Sequence, residues 1–102
     1  MAFKLEWSEE ALEDIESIAT YIEKDSPIYA KSVVSKFFEK AEILQEFSEL
    51  GRKVPEFNDA TIREIFVYSY RLIYKLSKEK VLLVAVVHGK KLLENHPKYR
   101  NE

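Results

Sequence analysis

The sequence has no cysteine, no long apolar run and no strong net charge. Without cysteine the chain can have no disulfide framework, no thiolate metal site and no cysteine nucleophile. No apolar run approaches the ~20 residues that a membrane helix needs, and residues 1–7 lack the layout of a secretory signal. We therefore expect a cytoplasmic protein without a membrane segment.

The formal net charge of -2 conceals an asymmetry between the two halves of the chain. Residues 1–50 hold 5 Lys/Arg and 12 Asp/Glu, whereas residues 51–102 hold 11 Lys/Arg and 6 Asp/Glu. The first half is therefore at -7 and the second at +5. This division favours an acidic outer layer and a basic working face for phosphates. The alternative is that the negative charges lie on solvated helix surfaces, the positive charges lie in solvated turns, and the two simply balance.

The length and the apolar content predict a single domain that spans residues 1–102. A chain of 102 residues with 46% apolar residues has enough material for one core. The sequence shows no internal repeat, low-complexity tract or interdomain linker.

Two amphipathic helices are predicted after a short first strand. Ser8 precedes an acidic first turn and an apolar series with helical spacing, which is typical of a helix N-terminus. Ser26 and Pro27 mark the start of a second helix, which we expect to end near Gly51. Helices joined by so short a connection pack antiparallel, so the pair predicts a helical hairpin.

Four segments have the alternating or continuously apolar pattern of strands, namely residues 2–7, 62–67, 70–76 and 81–87. The polar stretch from Gly51 to Ala60 predicts a loop. A count of chain directions places the first strand antiparallel beside the strand that follows the helices. We therefore predict an α+β fold in the order β-α-α-β-β-β, with a four-stranded antiparallel sheet and the helical hairpin on one face.

Five segments stand out in chain order: the SEEALEDIESIATYI helix, Gly51-Arg52, Ile62-Arg63-Glu64-Ile65, Tyr70-Arg71-Leu72-Ile73-Tyr74 and His88-Gly89-Lys90-Lys91. In this order they resemble the RelE/ParE superfamily of toxins from bacterial and archaeal toxin–antitoxin modules. The resemblance covers residues 3 to about 93 and implies the RelE/ParE fold.

The resemblance implies two functions of different class. RelE-like members are ribosome-dependent endonucleases that cut mRNA, whereas ParE-like members inhibit DNA gyrase by binding, without a hydrolytic site of their own. Both are neutralised by a cognate antitoxin protein. ParE-like action on gyrase, as in plasmid stabilisation, is our first hypothesis, and an mRNA interferase is the alternative. A third hypothesis is an inactive member that only binds antitoxin.

Three residues are candidates for catalysis in the nuclease alternative. Cleavage of RNA by its own 2′-hydroxyl needs a base, a cation at the phosphate and an acid for the leaving oxygen. The resemblance implies Glu56 as the base, Arg71 as the cation and His88 as the acid. The guanidinium fork suits a phosphate, and histidine titrates near neutrality. The alternatives are an arginine paired with a carboxylate on the sheet and a structural histidine.

Four further residues are candidates for contacting phosphate or RNA: Arg63, Lys90, Lys91 and Tyr99. The two lysines could equally be solvated turn residues, and Tyr99 a residue of the tail. Glu64 stands where RelE itself has a lysine. His96 has no partner at metal-ligand spacing, so we predict no metal and no cofactor. The mild net charge fits a gyrase inhibitor better than a ribosomal RNA binder, which usually needs a strongly basic surface.

Overall fold

The computed structural model describes residues 3–90, and in them five strands and two helices form an α+β fold. The elements in chain order are β1 (Lys4–Trp7), α1 (Glu9–Glu23), α2 (Pro27–Ile43), β2 (Arg52–Lys53), β3 (Ile62–Val67), β4 (Tyr70–Leu76) and β5 (Lys80–His88). Neither helix in this part of the chain is long and apolar enough to span a membrane.

Side-chain caps set the starts of both helices, as the sequence predicts. The Ser8 hydroxyl accepts a hydrogen bond from the N–H of Ala11 at 3.0 Å, and Glu9 and Glu10 occupy the first turn of α1. Ser26 caps α2 in the same way, with Pro27 as its first residue. These bonds satisfy amide groups that have no partner within the helix.

The end of α2 differs from the prediction. The helix stops at Ile43, with Leu44 as its C-cap, rather than near Gly51. The apolar series continues past this point, but Phe47 lies in the following turns and its side chain is 60% exposed. Apolar spacing alone therefore placed the helix end too late.

The five strands form one mixed sheet in the order β1-β5-β4-β3-β2. The pairs β2–β3, β3–β4 and β4–β5 are antiparallel, whereas β1 lies parallel to β5 with Lys4 opposite Lys80. The prediction of four antiparallel strands, with the first strand beside the one after the helices, is therefore wrong in strand number and in the position of β1.

The error originates in the connection after α2. Residues 51–60, predicted as a loop, contain β2, which pairs antiparallel with β3 so that Arg52 lies opposite Glu64. This short strand adds one chain reversal before β3. Every later strand therefore runs opposite to its predicted direction, and β5 becomes parallel to β1.

The core lies between one face of the sheet and the helical hairpin, as predicted. Ala11 and Ile15 of α1 and Phe37 and Ala41 of α2 are buried there. The sheet contributes alternate residues to the same cluster, among them Val67, Leu72, Tyr74, Val81, Leu83 and Val86. Alternation in β3 and β4 is what separates this face from the other.

The opposite face of the sheet is covered as well. Ile73, Ala85 and Val87 form a second buried cluster with Val54, and Phe57 packs against it. Residues 54–57 of the long connection thus lie over the outer face of β4 and β5. The connection therefore buries part of this face.

The β3–β4 hairpin contains a backbone conformation that is unusual for its residue type. Val67 and Tyr70 are paired, so Tyr68 and Ser69 form a two-residue turn. Tyr68 has φ = 55°, and it is the only non-glycine residue with a positive φ among residues 3–90. Tight hairpin turns normally use glycine, asparagine or aspartate where φ is positive. A tyrosine in this region costs roughly 1–2 kcal/mol of conformational free energy.

Gly51 lies in close contact with β3, with β4 and with the turns that follow α2. Its N–H donates to the Tyr74 hydroxyl at 2.9 Å, and that hydroxyl donates to the carbonyl of Ser48 at 2.8 Å. Burial raises the pKa of Tyr74, so the hydroxyl stays protonated and can donate. A Cβ on Gly51 would lie 2.6 Å from the Glu64 carbonyl oxygen and 2.6 Å from the Tyr74 hydroxyl.

We predict that Gly51→Ala destabilises the protein by about 1–3 kcal/mol, because the new methyl group meets backbone that the β2–β3 pairing holds in place. Urea denaturation measures the change. Gly89→Ala is the matched control, since its Cβ would approach the Ser69 carbonyl oxygen only to 3.0 Å. Equal losses in the two variants would show that the contacts around Gly51 can relax.

Candidate functional site

The most prominent polar feature of the described chain is an ion-pair network around Arg71 on the outer face of the sheet. The two terminal nitrogens of its guanidinium each donate to one oxygen of Glu56, both at 2.7 Å. Its Nε donates to Glu64 Oε1 at 2.6 Å. Arg71 therefore holds Glu56 through a bidentate pair and Glu64 through a further charged hydrogen bond.

Arg52 extends the network at its far end. Its Nε donates to the second oxygen of Glu64 at 2.6 Å, and its guanidinium lies 5.2 Å from the centre of the Phe66 ring. Two carboxylates thus meet two guanidiniums, so the formal charges of these four groups cancel. The network presents no net positive charge to an incoming phosphate.

The ion pair at the centre of the network is buried. Arg71 is 4% exposed and Glu64 is 1% exposed. The hydrogen bonds that Arg71 donates to Glu56, and after them those to Glu64, raise the pKa of Arg71 above its ordinary value despite burial. Removal of one partner from such a pair leaves an uncompensated charge in the interior, which is strongly unfavourable.

His88 lies on the other face of the sheet. It pairs with Tyr70 in the β4–β5 ladder, and directly opposite residues of neighbouring strands project to the same side. Tyr70 packs edge-on against Phe37 of α2 and against the His88 ring, with ring centres 5.7 Å apart in both cases. His88 is thus on the helical side of β5, near its end.

The structure brings two of the three candidate catalytic residues together. Glu56 and Arg71 are in direct contact at 2.7 Å on the outer face. The residue opposite Arg71 on β5 is Val87, not His88. The alternation that puts Val87 on the outer face puts His88 on the inner one. A base, a cation and an acid do not converge on one point in this arrangement.

The candidate phosphate-binding residues have separate surroundings. Arg63 donates to the carbonyl oxygens of Gly51 at 2.9 Å and Ala60 at 3.1 Å, which ties β3 to the long connection. Lys90 is exposed, and its N–H donates to His88 Nδ1 at 3.2 Å. Lys91 and Tyr99 lie outside the described residues.

A cavity of about 420 Å³ lies between α1 and the end of β5. Asp14, Tyr21, Tyr70 and His88 contribute polar groups to its wall. Asp14 Oδ2 accepts a hydrogen bond from the N–H of Val86 at 2.9 Å, which fixes α1 against the strand. Within residues 3–90, no three His, Cys, Asp or Glu side chains are grouped as a metal site.

Glu64 and Arg52 are the residues of the network that sequence reasoning missed. In the sequence, Glu64 was noted only because it stands where RelE itself has a lysine. The signal was present, because the alternation of β3 and β4 puts Glu64 and Arg71 on the same face of adjacent strands. A carboxylate and a guanidinium on one sheet face, close to each other, predict an ion pair.

Comparisons with known proteins agree with this fold. The sequence model of the family described as "ParE toxin of type II toxin-antitoxin system, parDE" matches residues 5–93. None of the curated proteins with which the sequence was compared matches it.

Solved structures share the architecture at low sequence identity. A chain of the chromosomal ParDE toxin–antitoxin system from P. aeruginosa is 17% identical with a TM-score of 0.70, over 85% of this chain and 96% of the other. The E. coli toxin RelE, as a mutant in the free state, is 22% identical with a TM-score of 0.63, over 88% and 86%. YoeB from Staphylococcus aureus is 17% identical with a TM-score of 0.62, over 86% and 98%.

The family match spans most of the chain, and the similar structures, which are toxins or toxin–antitoxin complexes, share its fold. The chain therefore belongs to the ParE toxin family of type II toxin–antitoxin systems, within the RelE/ParE superfamily.

Proposed function

We propose that this toxin arrests growth by ParE-like binding to DNA gyrase in the cytoplasm, and that it has no hydrolytic site of its own. The observation that carries this proposal is the engagement of Arg71 by Glu56 and Glu64. The family match to ParE toxins and the similarity to a ParDE system support the same choice.

A phosphate at Arg71 would have to displace a carboxylate. The terminal nitrogens of the guanidinium already make a bidentate pair with Glu56, and its Nε is directed to buried Glu64. Displaced Glu56 would lose two charged hydrogen bonds, and the phosphate would face the negative charge of Glu64. Transition-state stabilisation requires cations aimed at the developing charge, whereas this cation is aimed at its own protein.

An mRNA endonuclease is the second candidate, and one observation favours it. Glu56 and Arg71 are in direct contact, as a base and a phosphate-binding cation of one active site could be before substrate binds. In this alternative RNA would enter between them, and His88 and Lys90 would act from the strand end. The position of His88 on the helical face is the main argument against this arrangement.

The antitoxin is the further partner in either case. The structural relatives include complexes of toxin with antitoxin, and we propose that a cognate antitoxin binds and neutralises this chain. A member that binds antitoxin and has no cellular target would remain silent in every toxicity assay.

We predict that His88→Gln leaves growth arrest and gyrase inhibition within about 2-fold of wild type, because no proton transfer is involved. Glutamine keeps polar atoms near both positions of the ring. In vitro, gyrase supercoiling and cleavage of mRNA on stalled ribosomes are assayed side by side. Transcripts should remain intact during full growth arrest. Ribosome-dependent cleavage by wild type that falls about 10²-fold in His88→Gln would instead establish the nuclease.

A further inference from the structure

Tyr68 combines a strained backbone with an exposed aromatic ring at the tip of the β3–β4 hairpin. Its φ of 55° lies in the region that favours glycine, and its side chain is 54% exposed. Because about half of the residue is exposed, burial of the ring contributes little stabilisation to offset the cost of the strained backbone. Strain of this kind in an exposed residue points to a role in function rather than in folding.

Two neighbours from the start of α2 enlarge this ring into a surface. The Tyr29 ring lies 6.3 Å from the Tyr68 ring, and Ile28 shares the wall of a cavity of about 360 Å³ with Tyr68. Ile28 is 82% exposed and Tyr29 is 50% exposed. We call these three residues, Ile28, Tyr29 and Tyr68, the tip surface. An exposed aliphatic side chain beside two exposed tyrosines suits a protein partner better than a nucleic acid.

The charges around the tip surface are positive. Lys31 and Lys36 belong to the cavity beside Ile28, and Lys90 belongs to a second cavity of about 380 Å³ on the other side of Tyr68. Lys36 is paired with Glu39 at 2.7 Å. In the described part of the chain, Lys31 and Lys90 have no carboxylate partner, so they give the surface a net positive charge. Charge complementarity therefore calls for an acidic partner.

We propose that the tip surface is where the toxin docks an acidic and apolar segment of its protein target, DNA gyrase. This inference rests on the proposed function and adds the surface and the chemistry of recognition. Tyr68 is the anchor, Ile28 and Tyr29 surround it, and Lys31 and Lys90 select acidic side chains at the rim. The Arg71 network lies on the outer face of the sheet and supports the fold.

Tyr68→Gly separates recognition from folding, because glycine adopts a positive φ without strain. We expect its melting temperature to equal or exceed that of wild type. In a supercoiling assay with purified full-length toxin and gyrase, we expect about 10-fold or more toxin to be needed for half inhibition. Tyr68→Asn, which also tolerates this conformation, should behave in the same way. Affinity for the antitoxin should change less than about 3-fold.

Phe47→Ala is the matched control. Phe47 is a similarly exposed aromatic residue, at 60%, beyond the opposite end of α2, whose 17 residues span about 25 Å. The Phe47→Ala variant should inhibit gyrase as strongly as wild type. Lys31→Glu together with Lys90→Glu should weaken inhibition about 3- to 10-fold at low salt and less at high salt, because rim charges act mainly on association.

The possible outcomes are distinguishable. If wild type and Tyr68→Gly inhibit gyrase equally, the inference is wrong and the proposed function stands. If wild type does not inhibit gyrase, both fail. An equal loss of antitoxin affinity would assign the surface to the antitoxin, and a parallel loss of binding to bare DNA would assign it to nucleic acid. Either result would overturn the inference, whereas selective loss of gyrase inhibition in a fully folded Tyr68→Gly protein supports it.

Discussion

Replacement of Arg71 by alanine is expected to lower the free energy of unfolding by about 3–5 kcal/mol. The substitution leaves Glu64, at 1% exposure, with the partly exposed Arg52 as its remaining guanidinium partner, and it also removes the bidentate partner of Glu56. For a domain of this size the melting temperature should fall by more than about 12 °C. Urea and thermal denaturation of the purified toxin measure the loss.

Lys75→Ala on the same strand is the control, since Lys75 is exposed and its loss should change stability by less than about 0.5 kcal/mol. If Arg71→Ala keeps wild-type stability and loses ribosome-dependent mRNA cleavage, Arg71 is a phosphate-binding residue and the nuclease alternative is correct. A large loss of stability, with toxicity that follows the folded fraction, agrees with a structural arginine.

Replacement of Phe37 by alanine is the second change with a large expected effect, about 3–5 kcal/mol of destabilisation. Phe37 is fully buried and packs edge-on against Tyr70 at 5.7 Å, so it joins α2 to β4 at the centre of the core. Its removal leaves a cavity between the helical hairpin and the sheet, in the same cluster as Ala11 and Leu72.

Equilibrium denaturation again gives the size of the effect, and Phe47→Ala is the comparison because Phe47 is 60% exposed. The exposed phenylalanine should cost less than about 0.5 kcal/mol. Similar losses in the two variants would mean that the hairpin can repack around an alanine at position 37.

Much of the fold was predictable because the relevant signals are local. Ser8, Ser26 and Pro27 mark helix starts through chemistry that acts within one turn. Alternation in β3 and β4 assigned side chains to the correct faces, since that property depends only on the strand's own period. Both helices therefore had an identifiable apolar side and a sheet face on which to pack.

Strand pairing was not local, and there the prediction failed. Arg52–Lys53 is too short and too polar to be recognised as a strand, yet it reverses the chain once and so changes the direction of three later strands. The network around Arg71 has the same character. Its partners Glu56 and Glu64 come from a connection and a neighbouring strand, and only the folded register brings them together.

The Tyr68 turn illustrates a different limit. The two-residue spacing between β3 and β4 was predictable, but the residue type argued against a positive φ at that position. The pairing of Val67 with Tyr70 leaves only two residues for the turn and thereby imposes it. Local preference was overridden by the register of the strands on either side.

The parallel pairing of β1 with β5 has a consequence for the order in which the strands pair while the toxin is synthesised. Residues 4–7 find their strand partner only at residues 80–83, 76 positions later. During synthesis β1 must wait for nearly the whole described chain, because contacts so distant in sequence form only after a large loop is closed. The sheet is therefore completed only late in synthesis. A nascent chain that ends before β5 lacks both the strand with which β1 pairs and the residue His88.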